Sequence, residues 1–337
     1  MPFVTRRAAI AAGLAATTAG FAFGASAQEA PVLRLSSVVS ESDIRAEAFA
    51  KISEAVSEEF DLQVYNASTL IPQGSELTAI QRGNLEMGLI APQDLADQVP
   101  AWSILTAAYV LQDVDHMEAV FDSEVGEQLN QMAEEAGLHI LAPVYFGTRQ
   151  VNLVPSRDES EVMTPEDLSG VTLRMPGGDA WQFLGEAIGA NPTPLAYSEV
   201  YTALQTGAID GQDNPLPNDY NMKFYEVTGQ IALTGHLVGF DVLSISSEVW
   251  NEMTPEQQEL LQGAVDEAVA ESTERHLARE DELVQFFKDE GLDVYEPDRE
   301  AFREFAQQKY LESEFAESWP EGMLDQINAI GSDGSAN

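Results

Sequence analysis

The sequence predicts an α/β fold of two lobes that are joined by crossing strands. A chain of 337 residues with 44% apolar content is long enough to form more than one lobe. Strands and helices are predicted to alternate along it, as they do in parallel βαβ units. An apolar strand at residues 139–145 continues past Gly147 into a second strand that ends at Val154. A connection between two lobes requires such a continuous pair of strands.

The first lobe is predicted to begin with a strand, helix, strand unit. Residues 32–36 and 62–65 are short strands, and residues 44–56 form a helix with apolar side chains at helical spacing. The loop after the first strand faces the carboxyl edge of the sheet, where ligands bind in open α/β sheets. Asp43 in this loop is therefore a candidate ligand-binding residue, with a helix cap as the alternative.

Three further elements complete the first part of the chain. Residues 76–83 are predicted as a helix and residues 85–91 as a strand, and Gln93 follows the end of that strand. This position makes Gln93 another candidate for ligand contact. Residues 116–136 are predicted as one long amphipathic helix, because apolar side chains recur through them at helical spacing.

The most informative stretch lies in the second lobe. Residues 171–175 alternate between apolar and polar side chains, which predicts a strand with Arg174 on the face opposite its apolar residues. Glycines end this strand, and Asp179 is the expected N-cap of the next helix. An arginine at the carboxyl end of a strand, close to a helix N-terminus, concentrates positive potential where ligands bind. The alternatives are a solvated arginine or one paired with an acidic residue.

The C-terminal part returns to the first lobe and then forms helices. Residues 231–234 and 242–246 are predicted as two strands, with His236 between them as a structural residue. A helix begins at Pro255 and continues through apolar residues to position 287. A strand at 292–295 and a helix at 298–315 follow, and residues 330–337 are predicted to be a disordered tail.

The formal net charge is −41, from 57 acidic and 16 basic residues. Such a surface repels nucleic acid phosphates and anionic headgroups, which excludes nucleic acid as a partner. An anion site on this protein must therefore be local and rich in arginine. The chain has no cysteine, so disulfides, thiolate nucleophiles and cysteine-ligated metals are excluded.

The N-terminus predicts export to the periplasm. Arg6 and Arg7 precede an apolar run over residues 8–23, and Ala25, Ser26 and Ala27 form a cleavage site. Residues 1–27 are accordingly predicted to be a cleaved signal peptide, for the general or the twin-arginine route. An uncleaved anchor is the alternative.

No catalytic motif accompanies these features. The sequence has no nucleophile elbow, no zinc-protease motif, no phosphate-binding loop and no dinucleotide fingerprint, and its four histidines are scattered. We therefore expect neither an enzyme nor a bound metal or cofactor. A periplasmic lyase acting on a carboxylate, with Asp210 and Asp213 as acid and base, is an alternative.

Four segments resemble a known family: LRMPGGDAW, PLAYSEVYTALQTGAIDGQDNPL, KFYEV and TGH. They are similar to the DctP-type extracytoplasmic solute-binding proteins of tripartite ATP-independent periplasmic (TRAP) transporters, and the resemblance covers nearly the whole mature chain. It implies a two-lobed periplasmic binding protein fold with hinge strands between the lobes and a long helix spanning both. The implied first lobe is 28–147 plus 238–278, and the second is 148–237 plus 279–329.

The resemblance also implies roles for individual residues. Arg149 is expected to help hold the carboxylate of a ligand, Tyr197 to place an aromatic ring against it, and Asn214 to make a polar contact. His236 lies near the ligand in some relatives. Taken from the residues alone, Arg149 could instead form an interlobe ion pair and Asn214 an Asx turn.

The expected function is that of a TRAP receptor. It would bind a small organic acid anion by hinge closure and, as a monomer, deliver it to the permease subunits in the membrane. The alternative is a receptor for an ATP-driven transporter, which has the same two-lobed architecture. Sialic-acid binders carry acidic residues where this chain has Pro72 and Pro92, so we expect the ligand to be another organic acid that carries hydroxyl groups. Small dicarboxylates, sugar acids, hydroxy-acids, sulfonates and zwitterionic carboxylates all remain possible ligands.

Overall fold

The computed structural model describes residues 30–155 and 160–330. In these two ranges nine strands form one mixed sheet, in the order β2-β1-β3-β8-β4-β7-β5-β6 with β9 paired to β8. The strands are β1 (Val32–Ser36), β2 (Asp61–Tyr65), β3 (Met87–Ile90), β4 (Leu138–Leu153), β5 (Thr172–Met175), β6 (Asn191–Pro194), β7 (Gly211–Pro215), β8 (Gln230–Ser246) and β9 (Asp293–Tyr295).

Helices cover both faces of this sheet. They are α1 (Ile44–Ala55), α2 (Glu76–Gln81), α3 (Pro92–Ala96), α4 (Ser103–Thr106), α5 (Val114–Phe121), α6 (Glu124–Glu135), α7 (Asp179–Ala187), α8 (Val200–Thr206), α9 (Leu216–Asn221), α10 (Ser247–Glu252), α11 (Pro255–Asp289), α12 (Arg299–Leu311), α13 (Glu314–Glu317) and α14 (Met323–Ile330). Short 3-10 turns lie at Pro100–Trp102, Pro165–Leu168, Tyr197–Glu199 and Phe224–Glu226. Within the described residues no helix is long and apolar enough to cross a membrane.

The sheet has two parallel halves that two long antiparallel strands connect. One half is β2-β1-β3 and the other is β7-β5-β6, and β4 and β8 run through both. The predicted two-lobed α/β fold with crossing strands is therefore confirmed. The two strands predicted around His236 belong to one long strand, β8, which pairs with β4 on both sides of an irregularity at residues 233–236.

Two glycines mark the point where the crossing strands pass between the halves. Gly147 and Gly239 are paired across β4 and β8, and irregular pairing flanks them on both sides. Gly147 has φ +117°, and a Cβ on Gly239 would lie 2.4 Å from the Gly147 carbonyl oxygen. Only glycine at both positions allows the strands to bend and approach so closely.

The long helix α11 is confirmed, and it spans both halves over about 50 Å at the usual helical rise. Thr254 and Gln257 cap its start reciprocally. Leu261 and Val265, in its first half, belong to the same apolar core as Phe49 and Leu243. Its second half packs through Leu283 and Phe287 against a different cluster, which contains Leu216 and Ile231. One rigid element thus supports both lobes.

Several predicted elements differ in detail. The helix predicted over residues 116–136 is two helices, α5 and α6, because Ser123 caps the second by accepting from the Val125 N–H. The helix predicted over 298–315 is α12 followed by the short α13. Gly178, not Asp179, is the N-cap of α7, and Asp179 is its first residue.

The ends of the chain need separate mention. The predicted signal peptide lies outside the described residues, as does the predicted tail apart from Ile330, which ends α14. The residue boundaries of the two lobes stay a prediction.

Candidate ligand-binding site

A cavity of about 50 Å³ lies where the two halves face each other. Its wall combines loop and helix residues of the first half, residues of the crossing strands, and residues of the second half. These are Val38, Arg45, Gln73, Gly74, Glu76, Leu89, Ala91, Asp94, Phe146, Arg149, Arg174, Pro176, Trp181, Tyr197, Asn214, Asn218 and Asp241.

Arg174 on β5 is the cation in this cavity that has no carboxylate partner among the described residues. Its side chain is 1% exposed, its Nε donates to the Leu195 carbonyl at 2.8 Å, and its Nη2 has no hydrogen-bond partner. Burial lowers the pKa of Arg174 to about 10, while the negative charge of Asp213 opposes the fall. The guanidinium is still a cation at neutral pH, and a buried cation without a counter-ion binds an anion favourably.

Arg149 on β4 is held in place by a buried network. Its Nε and Nη2 donate to the two carboxylate oxygens of Asp213, at 2.7 and 2.9 Å. His236 lies on the other side of Asp213, with Nε2 3.1 Å from Oδ2. Burial alone would raise the pKa of Asp213, but Arg149 and the His236 hydrogen bond hold it well below its usual range. Arg149 therefore faces the cavity as an oriented charge that also forms an ion pair.

Aromatic and amide side chains complete the second-half wall. The Arg174 guanidinium lies 5.8 Å from the centre of the Tyr197 ring, and Arg149 lies 4.8 Å from that of Trp181. Asn218 donates to the Tyr197 hydroxyl at 3.1 Å, and its buried Oδ1 has no partner. Asn214 donates to the Gln212 side chain at 2.5 Å. These contacts fix the aromatic rings and leave acceptor capacity in the cavity.

The first-half wall contains a third arginine, Arg45, which sequence analysis missed. Its Nε and Nη2 donate to Asp43 and its Nη1 donates to Asp241, all within 3.0 Å. The guanidinium also stacks on Phe146, 4.2 Å from the ring centre. Arg45 lies in the first turn of α1 just after Asp43, so the strand-end argument that selected Asp43 could also have selected Arg45.

Two carboxyl groups of the first half also line the cavity and were missed. Glu76 begins α2 and is 4% exposed, and Asp94 in α3 is partly buried. Burial raises the pKa of Glu76 to about 7. Burial, together with the negative charges of Glu76, Asp241 and Asp97, raises the pKa of Asp94 to about 8. Acidic side chains are thus present in this wall, although residues 72 and 92 are prolines.

The structure places four of the seven predicted residues on the cavity wall: Arg174, Arg149, Asn214 and Tyr197. Asp43 and His236 lie behind the wall. Asp43 accepts hydrogen bonds from Arg45, and His236 contacts Asp213, the ion-pair partner of Arg149. Asp43 caps α1, accepting from the Arg45 N–H, which was its alternative interpretation. Gln93 is buried in α3 and does not line the cavity, whereas its neighbour Asp94 does.

These features define a class of protein. Two α/β halves enclose a cavity with a buried, unpaired arginine, and no cluster of three or more metal-ligating side chains occurs in the described part of the chain. Such an arrangement is that of a two-lobed solute-binding protein. Residues 35–317 match the model of the bacterial extracellular solute-binding proteins of family 7, and the chain belongs to this family.

Similar proteins agree with this assignment. The sialic acid-binding periplasmic protein SiaP of Vibrio cholerae is 33% identical over 75% of this chain and 78% of its own. A TRAP periplasmic solute-binding protein of Roseobacter denitrificans, solved with bound 3-deoxy-D-manno-oct-2-ulosonic acid (Kdo), is 48% identical, with a TM-score of 0.88 over 90% of this chain and all of its own. One from Sulfitobacter, solved with β-D-galacturonate, is 27% identical, with a TM-score of 0.79 over 89% of this chain and 99% of its own. The chain is therefore a TRAP-type binding protein and not an enzyme, and the interpretation as an ATP-driven receptor falls away.

Proposed function

We propose that this protein is the receptor of a TRAP transporter for a sugar acid anion of the Kdo type. One observation carries the proposal: Arg174 lines the cavity, and its buried Nη2 has no hydrogen-bond partner among the described residues. The similarity to the Roseobacter denitrificans protein solved with Kdo supports the choice of a long hydroxylated acid. The unpaired Oδ1 of Asn218 supports it too, because this acceptor would receive a ligand hydroxyl.

The binding mechanism follows from the positions of the side chains. Arg174 forms a bidentate pair with the ligand carboxylate, since its planar guanidinium matches two oxygens. Arg149 adds positive charge, and Tyr197 and Asn214 orient the rest of the ligand. The Tyr197 backbone N–H donates to Gln73 of the first half at 2.9 Å, so the two walls already touch in this structure. Hinge closure at Gly147 and Gly239 excludes water and strengthens these contacts.

The biological setting belongs to the same proposal. Residues 1–27 direct export to the periplasm and are removed there, and the mature protein acts as a monomer. Its closed form docks on the membrane permease, which takes up the solute with an ion gradient. The net charge of −41 keeps the protein soluble at high concentration, because like-charged molecules repel each other.

Calorimetric titration of the mature protein with Kdo, galacturonate and a panel of aldonates and hydroxy-acids tests the ligand. We expect Arg174→Ala to weaken binding by at least about 2 kcal/mol, or about 30-fold, and Arg174→Lys by much of that. Arg82→Ala is the matched control, because Arg82 is exposed and forms no ion pair in the described ranges. Normal binding by Arg174→Ala would contradict the role of Arg174. Mass spectrometry of the denatured wild type would reveal a ligand that purifies with the protein.

A further inference from the structure

The two walls of the cavity carry opposite kinds of uncompensated groups. On the second-half wall Arg174 has a buried guanidinium nitrogen without a partner. On the first-half wall Glu76 and Asp94 form no ion pair with any described residue, and both line the same cavity. The nearby cation, Arg45, is already engaged by Asp43 and Asp241. A ligand that spans the cavity therefore meets a cation at one end and two carboxyl groups at the other.

Several charged groups surround the acid pair. They are Asp241 on β8, Asp97 at the end of α3, and the cavity arginines Arg45, Arg149 and Arg174. Burial raises the pKa of Asp94 most, and the neighbouring carboxylates raise it further. Backbone N–H groups of residues 74–76 lower the pKa of Glu76, but burial outweighs them. At neutral pH the pair thus holds protons more tightly than exposed carboxyl groups do.

We propose that Glu76 and Asp94 are specificity-determining residues that exclude a second carboxylate and bind the hydroxyl groups of the ligand. This inference rests on the proposed function and narrows its substrate class to monoanions with a hydroxylated far end. An ionised carboxylate accepts a hydrogen bond from a hydroxyl, and a protonated carboxyl group can also donate one to it. A second ligand carboxylate would meet two carboxyl groups that no cation compensates, and close like charges are strongly unfavourable.

The acceptor Asn218 Oδ1, which has no partner among the described residues, also favours a hydroxylated ligand. It is buried on the cavity wall and requires a donor, which a hydroxyl supplies and a carboxylate does not. A dicarboxylate without hydroxyl groups would leave this acceptor unsatisfied, and any dicarboxylate would also face the acid pair. A sugar monoacid would satisfy Arg174 at one end and these oxygens at the other.

Matched ligand pairs test the proposal, each differing only in the terminal group. Calorimetry at about pH 8.5, where the acid pair has lost most of its protons, would compare gluconate with glucarate and galactonate with galactarate, with Kdo as a third monoacid. We expect wild type to bind the monoacid at least about 100-fold more tightly than the matched diacid, since apposed like charges cost several kcal/mol. Glu76→Gln and Asp94→Asn should each narrow this ratio about tenfold. Glu58→Gln should leave the ratio unchanged, because Glu58 is exposed and its side chain forms no hydrogen bond or ion pair with the described residues.

A second measurement needs no variant. In wild type the monoacid-to-diacid ratio should grow between about pH 6 and about pH 8.5, because the acid pair loses its protons there while the ligand charges stay constant. Equal binding of a diacid by wild type, or a ratio that neither pH nor the two substitutions change, overturns the role of the acid pair and leaves the receptor function intact. A wild type that binds no acid of either kind contradicts the proposed function, and this inference with it.

Discussion

Arg45 and Arg174 lie on opposite walls of one cavity and are equally buried, yet their surroundings differ completely. Arg45 donates to two aspartates through all three guanidinium nitrogens. Arg174 donates once, to a backbone carbonyl, and one of its nitrogens has no partner. The pKa values move in opposite directions: burial alone would lower both, but Asp43 and Asp241 raise that of Arg45, and that of Arg174 falls to about 10.

This difference separates a structural charge from a binding charge. A buried ion pair with every hydrogen bond satisfied stabilises the local structure only while both partners remain. A buried cation without a counter-ion costs free energy in the empty protein, and that cost is recovered when an anion binds. The first wall should therefore respond to mutation through folding, and the second through ligand affinity.

The largest expected effect is on folding, at the first wall. Arg45→Met leaves Asp43 and Asp241 buried without their cation, and we expect a loss of about 3–5 kcal/mol in the free energy of unfolding. Urea denaturation of the ligand-free mature protein measures it. Arg275→Met is the control, because the Arg275–Glu47 pair is exposed at both ends and is worth at most about 1 kcal/mol. A loss for Arg45→Met no larger than that of the control would contradict the structural role.

Sequence reasoning selected Arg174 as a candidate for ligand binding and overlooked Arg45. Arg174 follows from strand alternation, which is a local pattern, whereas the role of Arg149 was implied by the family resemblance. The α/β class, the crossing strands and the long helix were predictable for the same reason: each is a periodic pattern within a single segment. The break between α5 and α6 was not, because the cap by Ser123 interrupts an otherwise continuous periodicity.

The first-half wall was predicted poorly because tertiary packing selects its residues. The strand-end rule chose Gln93, but α3 begins at Pro92, and each helical step turns the side chain by about 100°, so Asp94 reaches the cavity instead. Glu76 reaches it after a turn at Gly74, which has φ +78°. Neither position has a pattern in the sequence that distinguishes it from the many solvated acids of this chain.

We expect an intermediate effect of pH on the stability of the fold. Rising pH should lower the stability that the acidic residues of the first wall contribute and raise the stability that Asp213 contributes at the second wall. The folded-state pKa values of Glu76 and Asp94 are raised, to about 7 and about 8, so the stability they contribute is present at low pH and lost as pH rises through those values. Asp213 has a lowered pKa and contributes stability above the unfolded value of about 4, which is lost in acid. Melting temperature against pH measures both.

Substituting each acidic residue shows which wall causes which part of the pH dependence of stability. Between about pH 5 and about pH 8, Glu76→Gln and Asp94→Asn should each flatten the decline in stability. Asp213→Asn should flatten only the acid side of the curve. The exposed-acid variant Glu58→Gln should follow wild type throughout. If the two cavity variants decline as steeply as wild type does, the carboxyl groups of Glu76 and Asp94 titrate as solvated acids and the first wall is not repulsive.

The smallest effect on folding is expected at the second wall, from Arg174→Met. Methionine fills a similar volume, removes the uncompensated charge and gives up one hydrogen bond, so the free energy of unfolding of the ligand-free protein should change by no more than about 1 kcal/mol in either direction. Ligand affinity should nevertheless fall as far as in Arg174→Ala, because the ligand carboxylate loses the cavity cation that has no carboxylate partner among the described residues. A destabilisation as large as that of Arg45→Met would mean that Arg174, like Arg45, stabilises the fold of the ligand-free protein. The contrast between a structural arginine on the first wall and a ligand-binding arginine on the second would then be wrong.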